Sequence, residues 1–292
     1  MERNMNLHVM PDGSEQIHYQ NPEIPIYIRS GDLIHLPNMA ALSHWHKDVE
    51  ILFVEKGHLS YNVNGNIVRI EEGDAIFITP RQMHYGFSSD GTDCRYVCIC
   101  FHPELLASHR YLYEHYVEPI VTHTGMPYLL IKKGKPGNDR ILNVICGITE
   151  KRDLDLELMG KLFELWQCIY DISKVNDTVS IDKNLENLKQ MIAFIHTQYA
   201  ERITLDQIAA AGSVCRSRCC QLFKKYIGSS PNEYVTSYRL ERAMEFLRET
   251  DSSVTEIANN CGFSSSSYFA ESFAKWKGCT PTEYRRLYRQ RA

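Results

Sequence analysis

The chain has 292 residues, of which 43% are hydrophobic and 23% are charged, and its formal net charge is −4 at pH 7. This composition argues against a disordered chain, and the length allows two domains that each bury a core. The sequence contains no apolar run of about 18 residues and starts without the basic and apolar regions of a secretion signal. We therefore expect a soluble, cytoplasmic protein with no membrane partner.

Ten cysteines are present in the sequence. In a chain of this length without a secretion signal, we expect them to be reduced thiols. Cys215, Cys219 and Cys220 fall within one predicted helix. We interpret them as small packing residues, and the alternative is a redox sensor.

Short strand-like segments separated by turns lie between residues 25 and 101. They are VEILFVEKG, LSYNVNGNIVRI, DAIFITP and RYVCICF, and Asn64-Gly65 is a typical hairpin turn. This pattern predicts a small antiparallel barrel or sandwich.

Three histidines and one carboxylate lie among these strands. His44 and His46 alternate along an extended segment and so share one face, while Glu50 and His84 follow them. Together with Gly57, Gly73-Asp74 and Pro80, their spacing resembles the paired cupin motifs. Three imidazoles and one carboxylate can bind a divalent metal, which is the only candidate cofactor of the chain. Asn38 and Ser88 depart from the motifs, so a metal-free pocket lined by these histidines remains the alternative.

Aromatic and polar residues near the predicted barrel are candidates for binding a small polar molecule such as a sugar. The predicted effector pocket consists of Tyr19, Tyr27, His44, Trp45, His46, Glu50, Tyr61 and His84. The same side chains are also compatible with the domain core.

Two amphipathic helices are predicted within residues 139–173. Their apolar residues are Ile141, Leu142, Ile145 and Ile148 on the first and Leu158, Leu162, Leu165, Trp166 and Ile169 on the second. We interpret this helical hairpin as a dimerisation element, and the alternative is that it packs on the barrel. A polar linker is predicted at 176–183.

The last third of the chain contains an internal repeat, 204–239 and 253–289, whose register shifts by one residue midway. The later matches pair Phe223, Gly228, Pro231, Glu233, Tyr234, Tyr238 and Arg239 with Phe273, Gly278, Pro281, Glu283, Tyr284, Tyr288 and Arg289. Each copy opens with a capping box, Thr204 with Gln207 and Ser253 with Glu256, so each should begin a helix.

Each copy is predicted to contain two helices joined by a tight turn, near Gly212 in the first and at 261–263 in the second. Residues 234–249 form a predicted connecting helix with Leu240, Ala243, Met244 and Leu247 on one face. A rigid connector would let the two second helices enter successive major grooves of DNA, about 34 Å apart.

The runs RLxxA, EIAxxCGF, SYFxxxFxKxxG and TPxxYR follow one another between Arg239 and Arg285. In this order they are very similar to the DNA-binding domain of AraC/XylS-type regulators. The resemblance implies a DNA-binding domain, in preference to a helical repeat used for protein contacts. Residues 181–292 carry 16 Lys and Arg against 12 Asp and Glu, which is compatible with a nucleic-acid partner.

Base-reading residues are expected on the exposed side of each second helix. They are Arg216, Ser217, Arg218, Cys220 and Gln221 in the first unit and Ser265, Ser266, Ser267 and Glu271 in the second. The family's usual base-contacting positions correspond to Ser217, Cys220 and Gln221. Helix capping is the alternative role for Ser264 and Ser265, and Glu271 departs from the basic residue common in the family.

Phosphate contacts are predicted for basic residues at helix ends and in loops. These are Lys224, Lys225, Lys275, Arg285 and Arg286. Arg239 is expected to brace the connecting helix against its neighbours, as the resemblance implies.

The predicted fold class is α+β with two domains. A cupin-like antiparallel β-barrel with a helical hairpin occupies 1–175, and an all-α domain with two helix-turn-helix units occupies 184–292. The predicted function is that of a transcription regulator, not an enzyme. Its expected partners are double-stranded promoter DNA, a small-molecule effector such as a sugar, a second copy of the chain in a homodimer, and RNA polymerase if it activates. The alternative is a metal-binding cupin sensor or a cupin enzyme fused to a DNA-binding domain.

Overall fold

The computed structural model describes Met10, residues 14–19, Asn21, and residues 23–122, 125–150, 156–173 and 183–289. The chain divides into two compact units, one within Glu15–Asp182 and the other within Lys183–Ala292, to which Met10 and Ser14 also belong. The first contains antiparallel sheets with appended helices and the second contains helices only, which confirms the predicted fold class. The domain limits 1–175 and 184–292 remain a proposal. Residues 176–182 of the predicted linker lie outside the described residues, and Lys183 begins a helix.

Seven strands in the described part of the chain build the first unit. They are β1 (Ile26–Asp32), β2 (Val49–Val63), β3 (Asn66–Glu71), β4 (Ala75–Ile78), β5 (His84–Phe87), β6 (Cys94–Phe101) and β7 (Tyr128–Ile131). Five of them are ordered β1-β6-β2-β4-β7, while β3 and β5 pair with β2, and all pairs are antiparallel.

Strand β2 joins two segments that the sequence pattern separates. The sequence pattern ends the segment VEILFVEKG at Gly57 and starts a new one after it, and this expectation is wrong because β2 continues through Gly57. The pairing of β2 with β6 shifts register between Val54 and Lys56. Gly57 has φ 79°, and a Cβ at this position would lie 2.5 Å from the carbonyl oxygen of Asp93. Glycine is required there because the backbone is left-handed and closely approached. The Asn64-Gly65 hairpin is confirmed, with φ values of 52° and 83°.

Helices α3 (Asn138–Thr149) and α4 (Leu156–Ile172) form the predicted hairpin. Shorter helical segments precede them: α1 (Arg110–Leu112), a π-helical turn (Tyr113–Val117), α2 (Glu118–Val121), and 3₁₀ turns at Leu33–His35, Pro37–Met39 and Pro103–Leu106. The apolar stripes of α3 and α4 are buried in one core with Ile51, Phe77 and Ile99 of the sheet. The apolar stripe therefore packs on the sheet within one chain, as in the alternative interpretation, and dimerisation through the hairpin stays a prediction.

The two faces of the sheet have different characters because side chains alternate along each strand. Ile51 and Ile99 point towards the helices, so Glu50 and Cys100 lie on the opposite face. That second face contributes to a separate cluster that includes Leu52 and Tyr61. The polar residues singled out in the sequence are therefore kept apart from the helix-covered core.

The second unit consists of helices. They are α5 (Lys183–Gln198), α6 (Leu205–Ala211), α7 (Arg216–Tyr226), α8 (Pro231–Glu249), α9 (Val254–Asn260), α10 (Ser266–Lys277) and α11 (Pro281–Arg289). The predicted capping boxes open α6 and α9, and a third opens α8 at Ser230 and Glu233. Both predicted helix-turn-helix pairs are present, as α6–α7 and α9–α10. No helix among the described residues has the length and apolar character needed to cross a membrane.

Helix α8 connects the two pairs, as predicted. Its residues Leu240, Ala243, Met244 and Leu247 are buried in one core with Phe269 and Phe273 of α10. The bracing role expected for Arg239 is confirmed: its guanidinium donates to the carbonyl oxygens of Tyr199 and Glu201, both at 2.7 Å. These bonds fix α8 to the segment that precedes α6.

Candidate functional site

The exposed side of α7 carries the residues predicted to read bases in the first unit. Ser217, Arg218, Cys220 and Gln221 are exposed, whereas Cys219, Leu222 and Phe223 are buried on the opposite side. The buried residues anchor the helix, and the polar side is left accessible to a partner. The packing role expected of Cys219 is seen directly, but Cys215 and Cys220 are exposed.

Two of the predicted readers are bonded to each other. Arg218 donates to Gln221 Oε1 at 3.2 Å and to Asn184 Oδ1 at 2.7 Å. Arg216 is engaged differently, because its guanidinium forms a two-point ion pair with Asp206 of α6. That ion pair joins the two helices of the unit, so we leave Arg216 out of the base-reading set proposed below.

The corresponding face of α10 contains Ser266, Ser267 and Glu271, of which Ser267 and Glu271 are exposed. Ser265 is the N-cap of this helix and accepts from the Tyr268 backbone N–H at 3.1 Å. The capping alternative is therefore correct for Ser265. Tyr268, 49% exposed, was missed, although aligning Phe223 with Phe273 places it opposite Arg218 of the first unit.

Four of the five predicted phosphate-binding residues are exposed: Lys224, Lys225, Lys275 and Arg286. The fifth, Arg285, is corrected by the structure. Its guanidinium donates to the carbonyl oxygens of Leu247 at 3.4 Å and Ser252 at 2.5 Å. Arg285 thus stabilises the second helix-turn-helix unit in the way that Arg239 stabilises the first. A half-buried guanidinium group needs acceptors within the protein.

In the first unit, His44, His46, Glu50 and His84 form one buried cluster, in which the candidate ligand atoms all lie within 4.8 Å of one another. The first two histidines precede β2, and His44 forms an isolated bridge with His84 of β5. Glu50 is near the start of β2, and its Oε2 lies 3.1 Å from His46 Nε2 and 3.3 Å from His84 Nε2. The structure thus brings together all four residues that resembled a cupin ligand set.

Each imidazole of the cluster is oriented by a backbone carbonyl. The Nδ1 atoms of His44, His46 and His84 lie 2.8, 3.1 and 2.9 Å from the oxygens of Leu42, Asp48 and Gln82. Because a carbonyl oxygen only accepts, Nδ1 carries the proton in each ring. The Nε2 atom of a neutral ring then presents a lone pair, which is the state that binds a metal.

Glu50 is held in its charged form. Burial favours the neutral acid, but the neighbouring His84 and His46 outweigh burial and keep the pKa of Glu50 well below its usual value. Burial likewise opposes the charge on His46, yet the hydrogen bond and charge of Glu50 raise the pKa of His46 above its usual value. A proton on His46 and a metal ion are therefore alternative ways to neutralise Glu50.

Glu15, which the sequence analysis missed, lies beside His44. Its Oε2 is 3.4 Å from His44 Nε2, and its backbone N–H donates to the Trp45 carbonyl at 2.7 Å. Burial and the charge of His84 lower the pKa of His44 to about 3. Burial raises the pKa of Glu15 to about 8, so near neutral pH a protonated carboxyl group faces an unprotonated ring.

The cluster fits a divalent metal. Separations of 3.1 and 3.3 Å between the Glu50 oxygen and two imidazole nitrogens are those of ligands sharing one ion at about 2.1 Å. His84 Nε2 is buried, and its 3.3 Å contact with Glu50 Oε2 does not have full hydrogen-bond geometry. With Nδ1 fixed by the Gln82 carbonyl, this nitrogen is oriented towards the other candidate ligand atoms.

The other residues of the predicted effector pocket differ in their contacts. Tyr61 donates to Glu50 Oε1 at 2.5 Å, and Tyr19 donates to Asp48 Oδ1 at 2.5 Å. Tyr27 lies across from Cys100 in the β1–β6 pair and accepts from Arg29 at 3.2 Å. Trp45, which lies between His44 and His46 in the sequence, is buried. The sequence analysis also missed Cys98 and Cys100, which their alternation along RYVCICF places on one face.

Comparison with known proteins identifies two domain families in the chain. Residues 208–287 match a helix-turn-helix domain, and residues 35–110 match the AraC-like ligand binding domain. The uncharacterized HTH-type transcriptional regulator YdeC of Bacillus subtilis is 31% identical over 257 residues, which cover 84% of this chain and 86% of the relative. The melibiose operon regulatory protein of Escherichia coli is 26% identical over 271 residues, or 87% of each chain.

Among solved structures, ToxT from Vibrio cholerae is similar over 90% of this chain and 98% of its own, with 12% identity and a TM-score of 0.46.

Proposed function

The chain belongs to the AraC family of helix-turn-helix transcriptional regulators, and from this premise we propose that it reads promoter DNA through α7 and α10. The observation that carries the proposal is the accessible polar side of α7, formed by Ser217, Arg218, Cys220 and Gln221. A polar helix face backed by a packed core is what major-groove reading requires. On α10, we propose Ser266, Ser267, Tyr268 and Glu271 as the matching face.

Replacing Gln221 with alanine tests base reading. A glutamine amide can pair with an adenine edge through one donor and one acceptor, so its loss should cost about 1–3 kcal/mol on the cognate site. We expect relaxed preference at one base position and little change in salt dependence. The measurement is binding of the full chain to a randomised site library at several salt concentrations.

Lys225→Ala is the matched control, because Lys225 is exposed near the end of the same helix. We expect it to weaken binding to all sequences alike and to reduce the salt slope by about one unit, since one fewer counterion is released. An unchanged base preference in Gln221→Ala, or an altered one in Lys225→Ala, would show that α7 docks differently.

We propose that the sheet domain binds a small effector and that the response is regulatory, without catalysis. The similarity to a melibiose operon regulatory protein favours a sugar. The family also supports a homodimer, contact with RNA polymerase if the protein activates, and a cytoplasmic location near its DNA target. Since the α3–α4 stripes are buried against the sheet, a dimer would use other surfaces.

A second candidate function, metal sensing, is favoured by the cluster of His44, His46, Glu50 and His84. These residues would hold a divalent ion through three Nε2 atoms and one carboxylate oxygen, and the ion would supply charge neutralisation for Glu50. Within the cluster, the backbone carbonyls orient the rings and Tyr61 holds the second carboxylate oxygen.

A thermal-shift comparison separates the two effectors. A ligand at 100 times its dissociation constant adds about 2.7 kcal/mol to the free energy of unfolding. We expect Zn²⁺ or Mn²⁺ to stabilise the wild type but not His46→Ala. His58→Ala serves as control, because His58 pairs with Asp90 at 2.8 Å outside the cluster. Stabilisation by sugars alone would support the first candidate, and equal metal effects in wild type and His46→Ala would exclude the site.

A further inference from the structure

Two cysteines lie side by side on β6, on the same face of the sheet as Glu50. Cys98 and Cys100 are two residues apart in this strand, so their side chains share one face, and their Sγ atoms are 3.4 Å apart. Antiparallel pairing with β2 places Cys100 opposite Glu50, and Cys100 Sγ donates to Glu50 Oε2 at 3.5 Å. The ligand atoms of the three residues all lie within 4.8 Å of one another. The strands therefore hold a pair of thiols next to one carboxylate.

This group is separate from the histidine cluster, although Glu50 belongs to both. Among the described residues, no set of ligand atoms within 4.8 Å of one another joins the two sulfurs to the histidine nitrogens. Both thiols are free. Cys100 is 1% exposed, whereas Cys98 is half-buried, so a small molecule would reach the pair from the side of Cys98.

We propose that Cys98 and Cys100 form a dithiol site for trivalent arsenic, which enters as arsenous acid, As(OH)₃. Two S–H bonds and two As–O bonds break, two As–S bonds form, and two water molecules leave with the thiol protons. Arsenic stays trivalent, so no oxidant or reductant is needed. The remaining hydroxyl group on arsenic replaces the Cys100 thiol as the donor to Glu50 Oε2. This site goes beyond the proposed functions, because it requires neither a sugar nor a divalent metal.

The spacing of the two sulfur atoms favours arsenic over a tetrahedral metal ion. Two sulfur ligands at about 2.3 Å on tetrahedral Zn²⁺ are about 3.8 Å apart. Trivalent arsenic is pyramidal because it keeps a lone pair. Bonds of about the same length at nearly right angles hold two sulfurs about 3.3 Å apart. The separation of 3.4 Å between Cys98 Sγ and Cys100 Sγ is closer to the second value.

The charge balance favours the same ligand. Glu50 is 4% exposed, and burial beside its carboxylate opposes the formation of a thiolate. A divalent metal ion would require two thiolates at this position. Arsenous acid is neutral near pH 7 and reacts with neutral thiols to give a neutral product. Its binding therefore brings no new charge into the buried site.

Arsenite binding to the reduced, full-length chain tests the site. The exposed Cys215 and Cys220 are replaced with serine in every protein, so that these surface thiols do not contribute. We expect one arsenic atom per chain in this parent protein, measured by native mass spectrometry and by the ultraviolet absorption of As–S bonds. Cys98→Ser and Cys100→Ser should each weaken binding at least about a hundredfold, since a two-point attachment becomes a one-point attachment.

Cys94→Ser is the matched control on the same strand. Cys94 is also buried, but the ligand groups found among the described residues do not include it. This variant and His46→Ala should both bind arsenite as the parent does. Because Cys98 is half-buried, its serine variant keeps the test decisive even if Cys100→Ser does not fold.

The outcomes separate the dithiol from the histidine cluster. No arsenic in the parent, or equal affinities in the parent and Cys98→Ser, would overturn the proposal. An equal loss in Cys94→Ser would also contradict it, and loss in His46→Ala would show that the two groups are not separate. Stabilisation by Mn²⁺ is measured on the same proteins, so a failure of the arsenic site leaves the metal-sensing proposal standing.

Discussion

Replacing Gly262 with alanine is expected to lower the free energy of unfolding by about 2–5 kcal/mol. Gly262 forms the turn between α9 and α10 with φ 75°, and an added Cβ would lie 2.6 Å from the carbonyl oxygens of both Tyr199 and Ala200. The left-handed backbone disfavours alanine, and the two carbonyls belong to backbone that cannot rotate away. One of them, that of Tyr199, also accepts the Arg239 hydrogen bond.

Denaturant unfolding of the two glycine variants is the measurement. Gly278→Ala is the matched control, because Gly278 has φ 80° but no described atom lies within 4 Å of its added Cβ. It should cost only the backbone contribution, about 1–2 kcal/mol. Equal losses in the two variants would mean that the close approach at Gly262 contributes nothing. We also expect Gly262→Ala to weaken DNA binding, since the turn sets the position of α10.

Replacing Glu50 with glutamine should abolish metal-dependent stabilisation without unfolding the metal-free protein. The new Oε1 can still accept from Tyr61. The new amide group would lie 3.1 Å from His46 Nε2 and can donate to its lone pair, and it would lie 3.3 Å from His84 Nε2. With metal at 100 times its dissociation constant, the wild type gains about 2.7 kcal/mol and the variant gains none.

The same variant changes how stability depends on pH when metal is chelated. The pKa of His46 is raised in the fold, so its charge stabilises the wild type fully below the unfolded pKa of about 6.5. That contribution is lost as the pH rises through the raised folded value. Glu50→Gln removes the carboxylate and should flatten this loss.

Urea unfolding at several pH values, with and without Zn²⁺, measures both effects. Glu55→Gln is the control on the same strand, because Glu55 pairs with Arg95 at 3.2 Å near the surface. It should keep the metal response of the wild type. Retained stabilisation by Zn²⁺ in Glu50→Gln would exclude Glu50 as a ligand.

Features set by a few consecutive residues could be predicted from the sequence. The capping boxes at Thr204 and Ser253 depend on a contact between residues three positions apart, and both are present. The Asn64-Gly65 turn depends on two residues that tolerate positive φ. The motif of His44, His46 and Glu50 is also local, which explains why most of the buried cluster could be identified.

Features set by distant pairing could not be predicted in the same way. Cys100 meets Glu50 only because β6 pairs with β2 in one register, and Arg285 finds acceptors that lie more than thirty residues earlier. The stripe on α4 shows that its residues are buried, but an apolar face packs equally well on a sheet or on a second chain. Sequence periodicity identifies the face and leaves its partner undetermined.

Side chains alternate along β2 and β6, so the residues proposed to bind a ligand lie on one face of the sheet and the residues that pack against the helices lie on the other. Glu50 and Cys100 lie on the face proposed to bind the effector or metal, whereas Ile51 and Ile99 belong to the core shared with α3 and α4. Related chains can therefore change the residues that face the cluster, and with them the molecule they respond to. The alternate residues, which face the helices, can stay the same and preserve the fold. Among relatives, we expect substitutions in these two alternating sets of strand positions to accumulate independently. New effector responses can then arise without a new fold.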